Sequence, residues 1–222
     1  LAERTPGFSG ADLGNLVNEA AILSVRRGKK QIGMDELKEA IEKVILGPER
    51  KSKVINKKEK EIVAYHEAGH AIVATSLPNA DPVQKVSIIS RGQAGGYTLA
   101  VPTEDKSLHS LAYFKDELAT LLGGRVAEKI FCGDITTGAS SDLERATRIA
   151  RRLVTRYGMS DLGARTFGKK EDLVFLGREI NEEKDYSEQT AQKIDAEVSR
   201  FVEEAYDKAK EIITEKKELM QR

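Results

Sequence analysis

Ala64-Tyr65-His66-Glu67-Ala68-Gly69-His70-Ala71-Ile72-Val73 is the stretch around which the rest of the chain is organised. It is alanine-rich and free of proline, which favours a helix. On a helix, residues four apart lie one above the other on a single face. His66 and His70 can therefore aim two imidazole nitrogens at one ion. Nitrogen ligands, near-tetrahedral geometry and one position left for water are what catalytic zinc requires. Glu67 follows His66 directly and leans to the side of the pair, where a carboxylate can take a proton from an activated water. The plainer reading is a packed or solvated histidine pair beside a surface glutamate. The chain has only 3 histidines, and the remaining one, His109, has no partner at ligand spacing and reads as a surface or packing residue.

Working outward, the helix that carries the motif spans about 58–76. Pro78-Asn79-Ala80-Asp81-Pro82 is a turn cluster. Val83 to Ile89 is β-branched enough for a strand, and Tyr97 to Val101 reads as a second. The glycines Gly92, Gly95 and Gly96 precede that second strand and leave backbone free to approach another chain. Strand addition by a substrate at this edge and an ordinary hairpin connection are both open. Helices follow at about 110–122 and 125–131, separated by Gly123-Gly124. After a loop at 133–138, Ser140-Ser141-Asp142 opens a helix to about 157. A short strand is expected at 173–176, and a helix from 187 to about 222.

Upstream, Ser9-Gly10-Ala11-Asp12 is a capping pattern. A helix then places Leu13, Leu16, Val17, Ala20, Ala21 and Val25 at apolar spacing. Arg26, Arg27, Lys29 and Lys30 suit its C-terminal dipole. A second helix, about 35–45, turns Leu37, Ala40, Ile41, Val44 and Ile45 inward and stops at Gly47-Pro48. The charge-rich run from Glu49 to Lys60 reads as a solvated linker. The fold class is thus mainly α: a helical subdomain at 1–48, a linker at 49–60, and a mostly helical domain at 61–222 with a small β-sheet or hairpin.

Composition narrows the partners. Lys plus Arg and Asp plus Glu are 36 each, so nothing basic argues for nucleic acid. The single cysteine, Cys132, excludes an internal disulfide framework and reads as a small buried residue. No apolar run approaches the roughly 20 residues of a membrane span. The chain begins without methionine, in what reads as the middle of a domain, so it is expected to be a fragment.

A catalytic zinc site takes three protein ligands. The third is expected to be a carboxylate from downstream. Asp142, in the first turn of its helix after a glycine-containing loop, is one candidate; Glu128, Asp134 and Glu144 compete, and spacing does not choose among them.

Three segments carry a resemblance: His66-Glu67-Ala68-Gly69-His70-Ala71, Gly123-Gly124-Arg125-Val126-Ala127-Glu128, and Thr136-Thr137-Gly138-Ala139-Ser140-Ser141-Asp142-Leu143-Glu144-Arg145-Ala146-Thr147. Together they resemble the peptidase domain of the FtsH family, ATP-dependent, membrane-anchored zinc metalloproteases. Thr5-Pro6-Gly7-Phe8-Ser9-Gly10-Ala11-Asp12-Leu13 and Asn15-Leu16-Val17-Asn18-Glu19-Ala20-Ala21 resemble the helical lid of that family's AAA module. The resemblance implies that His66, His70 and Asp142 bind Zn2+, that Glu67 is the general base, and that Glu128 orients a histidine ligand. It implies that Gly95, Gly96 and Tyr97 line an edge for extended substrate, and that Gly10 and Ala11 approach a nucleotide. It also implies a homo-hexamer degrading unfolded, damaged or membrane proteins at the cytoplasmic face of the bacterial inner membrane. No Gly-x-x-x-x-Gly-Lys-Ser/Thr loop occurs here. ATP hydrolysis and the membrane anchor are therefore expected only in the full-length protein. The alternative reading is an AAA lid joined to a helical oligomerisation module with a non-catalytic metal site; intact His66, Glu67 and His70 speak against it.

Overall fold

The computed structural model describes residues 1–49, 56–90, 95–102, 108–168 and 185–221. The strand expected at 173–176, Gly92 and half of the charged linker (50–55) lie outside them. The chain is mainly α, with one two-stranded antiparallel sheet among the described residues.

Helix α1 (Gly10–Arg26) opens with a complete capping box. Ser9 Oγ accepts the Asp12 N–H at 3.3 Å, and the Asp12 carboxylate accepts the Ser9 N–H at 2.8 Å. Leu16 and Ala20 meet Ala40 and Ile41 of α2 (Met34–Leu46), with Phe8, Leu37 and Val44 around them. The expected apolar face of α1 is wider than the buried one: Leu13, Val17 and Val25 are 44%, 51% and 76% exposed. One helix packing on one other has a single narrow seam, and Leu16, Ala20 and Ser24, four residues apart, fill it. The basic end of α1 does more than complement the dipole. Arg27 and Lys29 donate to Glu36 Oε1 at 2.8 and 2.7 Å, and the Gly33 N–H donates to Oε2 at 3.2 Å. The Glu36 side chain is wholly covered, and such a charge is tolerated only when bonded this fully.

Helix α3 (Lys57–Ser76) starts where Asn56 Oδ1 accepts the Glu59 N–H at 2.7 Å, so the end of the charged run is already helical. Strand β1 (Val83–Ser87) pairs with β2 (Tyr97–Ala100), with Val86 opposite Thr98 and Ser87 opposite Tyr97. The register ends at Ser87, so Ile88 and Ile89 fall outside the ladder and are exposed.

Helix α4 (Leu111–Ala127) corrects one expectation. It runs unbroken through Gly123-Gly124. It is the central helix, packed against α3, α5 (Ser140–Thr155) and α6 (Glu188–Glu215), and it is buried on most of its surface. Packing on three sides keeps the two glycines helical despite their propensity cost of about 1 kcal/mol each. Leu118, Leu122, Val126, Leu153, Ile194, Phe201 and Ile213 form the heart of this core. The last helix is also shorter than its pattern suggests: α6 ends at Glu215, and α7 (Lys217–Met220) turns Met220 back into the core. Arg200 pairs with Glu197 and Glu204, and Lys208 with Glu211. Among the described residues, no helix is long and apolar enough to cross a membrane.

Candidate metal centre

Helix α3 buries His66 and His70 against α4 and Glu67 beside β2. Asp142 comes from the first turn of α5, delivered by a 3-10 turn at Thr137–Ala139. One ligand atom from each of His66, His70 and Asp142 lies within 4.8 Å of the other two. The two Nε2 atoms are 3.0 Å apart, and Asp142 Oδ2 is 3.3 Å from that of His66 and 3.5 Å from that of His70. Ligand atoms around a tetrahedral ion with bonds of about 2.05 Å stand about 3.3 Å apart.

The far sides of the rings settle which nitrogens are free. His70 Nδ1 lies 2.7 Å from the Thr120 carbonyl oxygen, which can only accept. Nδ1 therefore carries the proton, and a neutral ring keeps its lone pair on Nε2. His66 Nδ1 lies 2.7 Å from Glu128 Oε1, with the same consequence. Three lone-pair atoms then converge with no proton between them, an arrangement that a cation satisfies. Without one, a proton must do so. Burial lowers the His66 pKa, but the bonds to Asp142 and Glu128 outweigh it and the net shift is upward. Burial raises that of Asp142, and the bonds to His66 and His70 carry it well below the usual carboxylate range.

Glu128 owes its position to local backbone. At the end of α4 the chain loosens into a π-helical turn, Glu128–Cys132. Glu128 itself keeps α-helical angles and donates its N–H to the Gly124 carbonyl oxygen, so its side chain stands one turn along α4 from Gly124. Glu128 is 1% exposed; besides facing His66, it accepts the Thr136 N–H on Oε2 at 2.7 Å. It thus ties α3 to the loop that delivers Asp142. The competing carboxylates are elsewhere: Asp134 is exposed and accepts the Ile135 N–H, and Glu144 is exposed on α5.

Glu67 sits beside the cluster. Burial raises its pKa, partly countered by His70, Thr98 and His66. The Thr98 hydroxyl on β2 lies 2.8 Å from Glu67 Oε2 and 3.0 Å from the Glu67 carbonyl oxygen, and donates to one at a time. Sequence reasoning passed over Thr98. Its only signal was its place in the strand after the glycines, one step out of phase with Tyr97.

The glycines are the floor of the site. A Cβ on Gly69 would fall 2.5 Å from the Gly123 carbonyl oxygen, and one on Gly124 would fall 2.6 Å from Nε2 of both His66 and His70. The pair lets α4 pass directly beneath the histidines. Gly96 is buried too: a Cβ there would lie 2.9 Å from Glu67 Cγ. Gly95 is half-buried, and the Tyr97 ring is buried with its hydroxyl donating to Glu42 Oε2 at 3.0 Å. Gly10 and Ala11 are exposed at the N-terminus of α1, away from this cluster. His109 is exposed and stacks on Tyr113, 4.3 Å between centroids. Cys132 is half-buried, and burial pushes its thiol up.

Two histidines four apart on a buried helix, a carboxylate from a second helix and a glutamate beside them define a metallopeptidase of the His-Glu-x-x-His class. The chain belongs to peptidase family M41, which residues 53–222 match; residues 1–39 match the AAA+ lid domain. It is 58% identical to "ATP-dependent zinc metalloprotease FtsH 1" of Sphaerobacter thermophilus, over 97% of this chain and 33% of that protein. It is 57% identical to the protein of the same name from Thermoanaerobacter sp., over 97% and 35%. With "ATP-dependent zinc metalloprotease FtsH" of Slackia heliotrinireducens the identity is 56%, over 99% and 28%. The chain thus spans about a third of the length of the curated relatives it matches.

Proposed function

We propose that the chain is the lid and proteolytic portion of an ATP-dependent zinc endopeptidase, in which His66, His70 and Asp142 hold the metal and Glu67 is the general base. The observation that carries this is the convergence of three lone-pair atoms at 3.0, 3.3 and 3.5 Å, with each imidazole locked from behind. The donor set, two nitrogens and one carboxylate oxygen, suits zinc. Zinc in such a site supplies a Lewis acid that polarises a carbonyl and brings the pKa of a water toward about 7. The chain's own residues do the rest. Glu128 and the Thr120 carbonyl keep the imidazoles from turning. Glu67 takes a proton from the attacking water as its oxygen bonds to the scissile carbonyl carbon. It then passes that proton to the amine nitrogen as the C–N bond breaks. A non-catalytic metal site would leave Glu67 without a task.

The reading divides the chain into a lid at 1–48, a linker at 49–60 and the peptidase at 61–222. Gly95, Gly96 and Tyr97 belong to the edge along which an extended substrate lies, and Gly10 and Ala11 to the part of the lid that nears nucleotide. Unfolded, damaged or membrane proteins are the substrates, a homo-hexamer is the working form, and the cytoplasmic face of the bacterial inner membrane is its place. The relatives' printed names and the lid match support an ATP-dependent zinc protease; the substrates, the hexamer and the membrane setting rest on the family resemblance, and ATP turnover and anchoring belong to the full-length protein.

Metal analysis and casein hydrolysis test the core of it. Stoichiometric zinc is expected in the protein and in Glu67→Gln, which should not cleave; Asp142→Ala should lose the metal. Cleavage by Glu67→Gln at the unmutated rate would refute the role of Glu67, and undiminished zinc affinity in Asp142→Ala would remove that residue from the site.

A further inference from the structure

Successive side chains of a strand point to opposite faces of its sheet. On β2, Thr98 faces helix α3 and bonds Glu67, while Tyr97 faces helix α2 of the lid and donates to Glu42 Oε2 at 3.0 Å. Lys85 on β1 donates to both Glu42 oxygens, at 2.7 and 2.8 Å. The register agrees: Ser87 lies opposite Tyr97 and Val86 opposite Thr98, so Lys85 and Tyr97 share one face and Thr98 belongs to the other. The two strands therefore stand as a spacer between a lid helix and the helix that carries the metal ligands. At the start of β2 the spacer has little play, because a Cβ on Gly96 would meet Glu67 Cγ on one side and the Ser87 carbonyl oxygen on the other.

We propose that Glu42 of the lid is a positioning residue for Glu67, acting through β2: Glu42 holds Tyr97 and Lys85, and that hold sets where Thr98 meets the Glu67 carboxylate. A glutamate has three rotatable bonds, so a donor at a fixed place selects one of several rotamers. A displacement of about 1 Å at a reacting group can cost about a hundredfold in rate. The Glu42 side chain is 11% exposed, so its charge is anchored by the Lys85 ammonium and the Tyr97 hydroxyl more firmly than a surface pair would be. The inference rests on Glu67 being the general base.

Steady-state kinetics of the zinc-loaded protein on a short peptide, with zinc content and amide hydrogen exchange measured on each variant, test it. Thr98→Val should lower kcat about tenfold with KM and zinc content unchanged, and Thr98→Ser should restore it to within about threefold. Glu42→Gln and Tyr97→Phe should each lower kcat about threefold in the unmutated background and add nothing in the Thr98→Val background. The amides of residues 97–100 should exchange faster in Glu42→Gln at equal zinc content. Full multiplication of the Glu42→Gln and Thr98→Val effects, or an unaltered kcat in both Glu42→Gln and Tyr97→Phe, overturns the proposal. Should Glu42→Gln fail to fold, Tyr97→Phe, which removes one hydroxyl, carries the same test. An inert Glu67→Gln beside unaltered Glu42 and Tyr97 variants sinks the positioning role alone. An active Glu67→Gln sinks the catalytic reading beneath it.

Discussion

Gly124→Ala isolates the demand that the metal centre makes on helix α4. The added methyl carbon would stand 2.6 Å from Cε1 and Nε2 of His66 and 2.6 Å from Nε2 of His70. Ordinary contact is about 3.5 Å, so each approach is short by about 0.9 Å. The rings cannot simply swing aside, because both Nδ1 atoms are hydrogen-bonded at 2.7 Å. Either those bonds break or α4 withdraws by close to an ångström, and metal sites tolerate only about 0.2 Å in ligand distance. Zinc affinity should fall by about a hundredfold or more. Stability should change little by comparison. Alanine in a helix interior gains about 1 kcal/mol over glycine, and overpacking costs about 1–3 kcal/mol, leaving a net loss of about 2 kcal/mol at most. Competition against a chelator of known affinity reads the first quantity and urea denaturation of the metal-free protein the second. Wild-type zinc affinity in Gly124→Ala would refute the idea that the glycine is a steric requirement of the site.

Glu128→Gln keeps the shape but weakens the acceptor behind His66; zinc affinity should drop about 10- to 100-fold by the same chelator assay, and an undiminished value would show that the ring needs no anchor. Leu118→Ala removes a side chain with 0% exposure from the centre of α4 and should cost about 2–5 kcal/mol in urea unfolding, with a loss under 1 kcal/mol speaking against a tightly packed core. In the lid, hydrogen bonds from Lys29 and Arg27 hold the Glu36 pKa at about 2, below its ordinary 4.5. A depressed carboxylate contributes stability that is whole above its unfolded pKa and lost as pH falls through the folded one. The protection of α2 amides, taken relative to their intrinsic exchange rate at each pH, should therefore fall between pH 4.5 and 2, and Glu36→Gln should flatten that dependence; an unchanged pH profile in the variant would dismiss the clamp.

The ligand helix was legible because its signal is local. The spacing of His66 and His70 is a property of one helix and survives any tertiary arrangement. So is the capping box at Ser9 and Asp12, whose partners are three residues apart. The third carboxylate was another matter. Asp142, Glu128, Asp134 and Glu144 all lie within a short span, and only a resemblance told them apart. Their separation in space depends on the unbroken α4, which carries Glu128 behind His66, and on the turn that presents Asp142 in front. Neither leaves a residue pattern. The glycines misled for the same reason. Gly123-Gly124 reads locally as a break, yet α4 continues because three helices pack around it and because no larger residue fits beneath the histidines.

By itself, then, the amino-acid order determined most of the helices, the capping box at Ser9 and the His66-Glu67-His70 constellation proposed as ligands and base, all features closed within about one helical turn. The side chain that holds the base, the floor that admits the rings and the contact between Glu42 and the sheet join segments far apart in the chain. They exist only once α2, α3, α4 and β2 have packed, since a hydrogen bond such as that of Thr98 to Glu67 is specified by where two backbones come to rest.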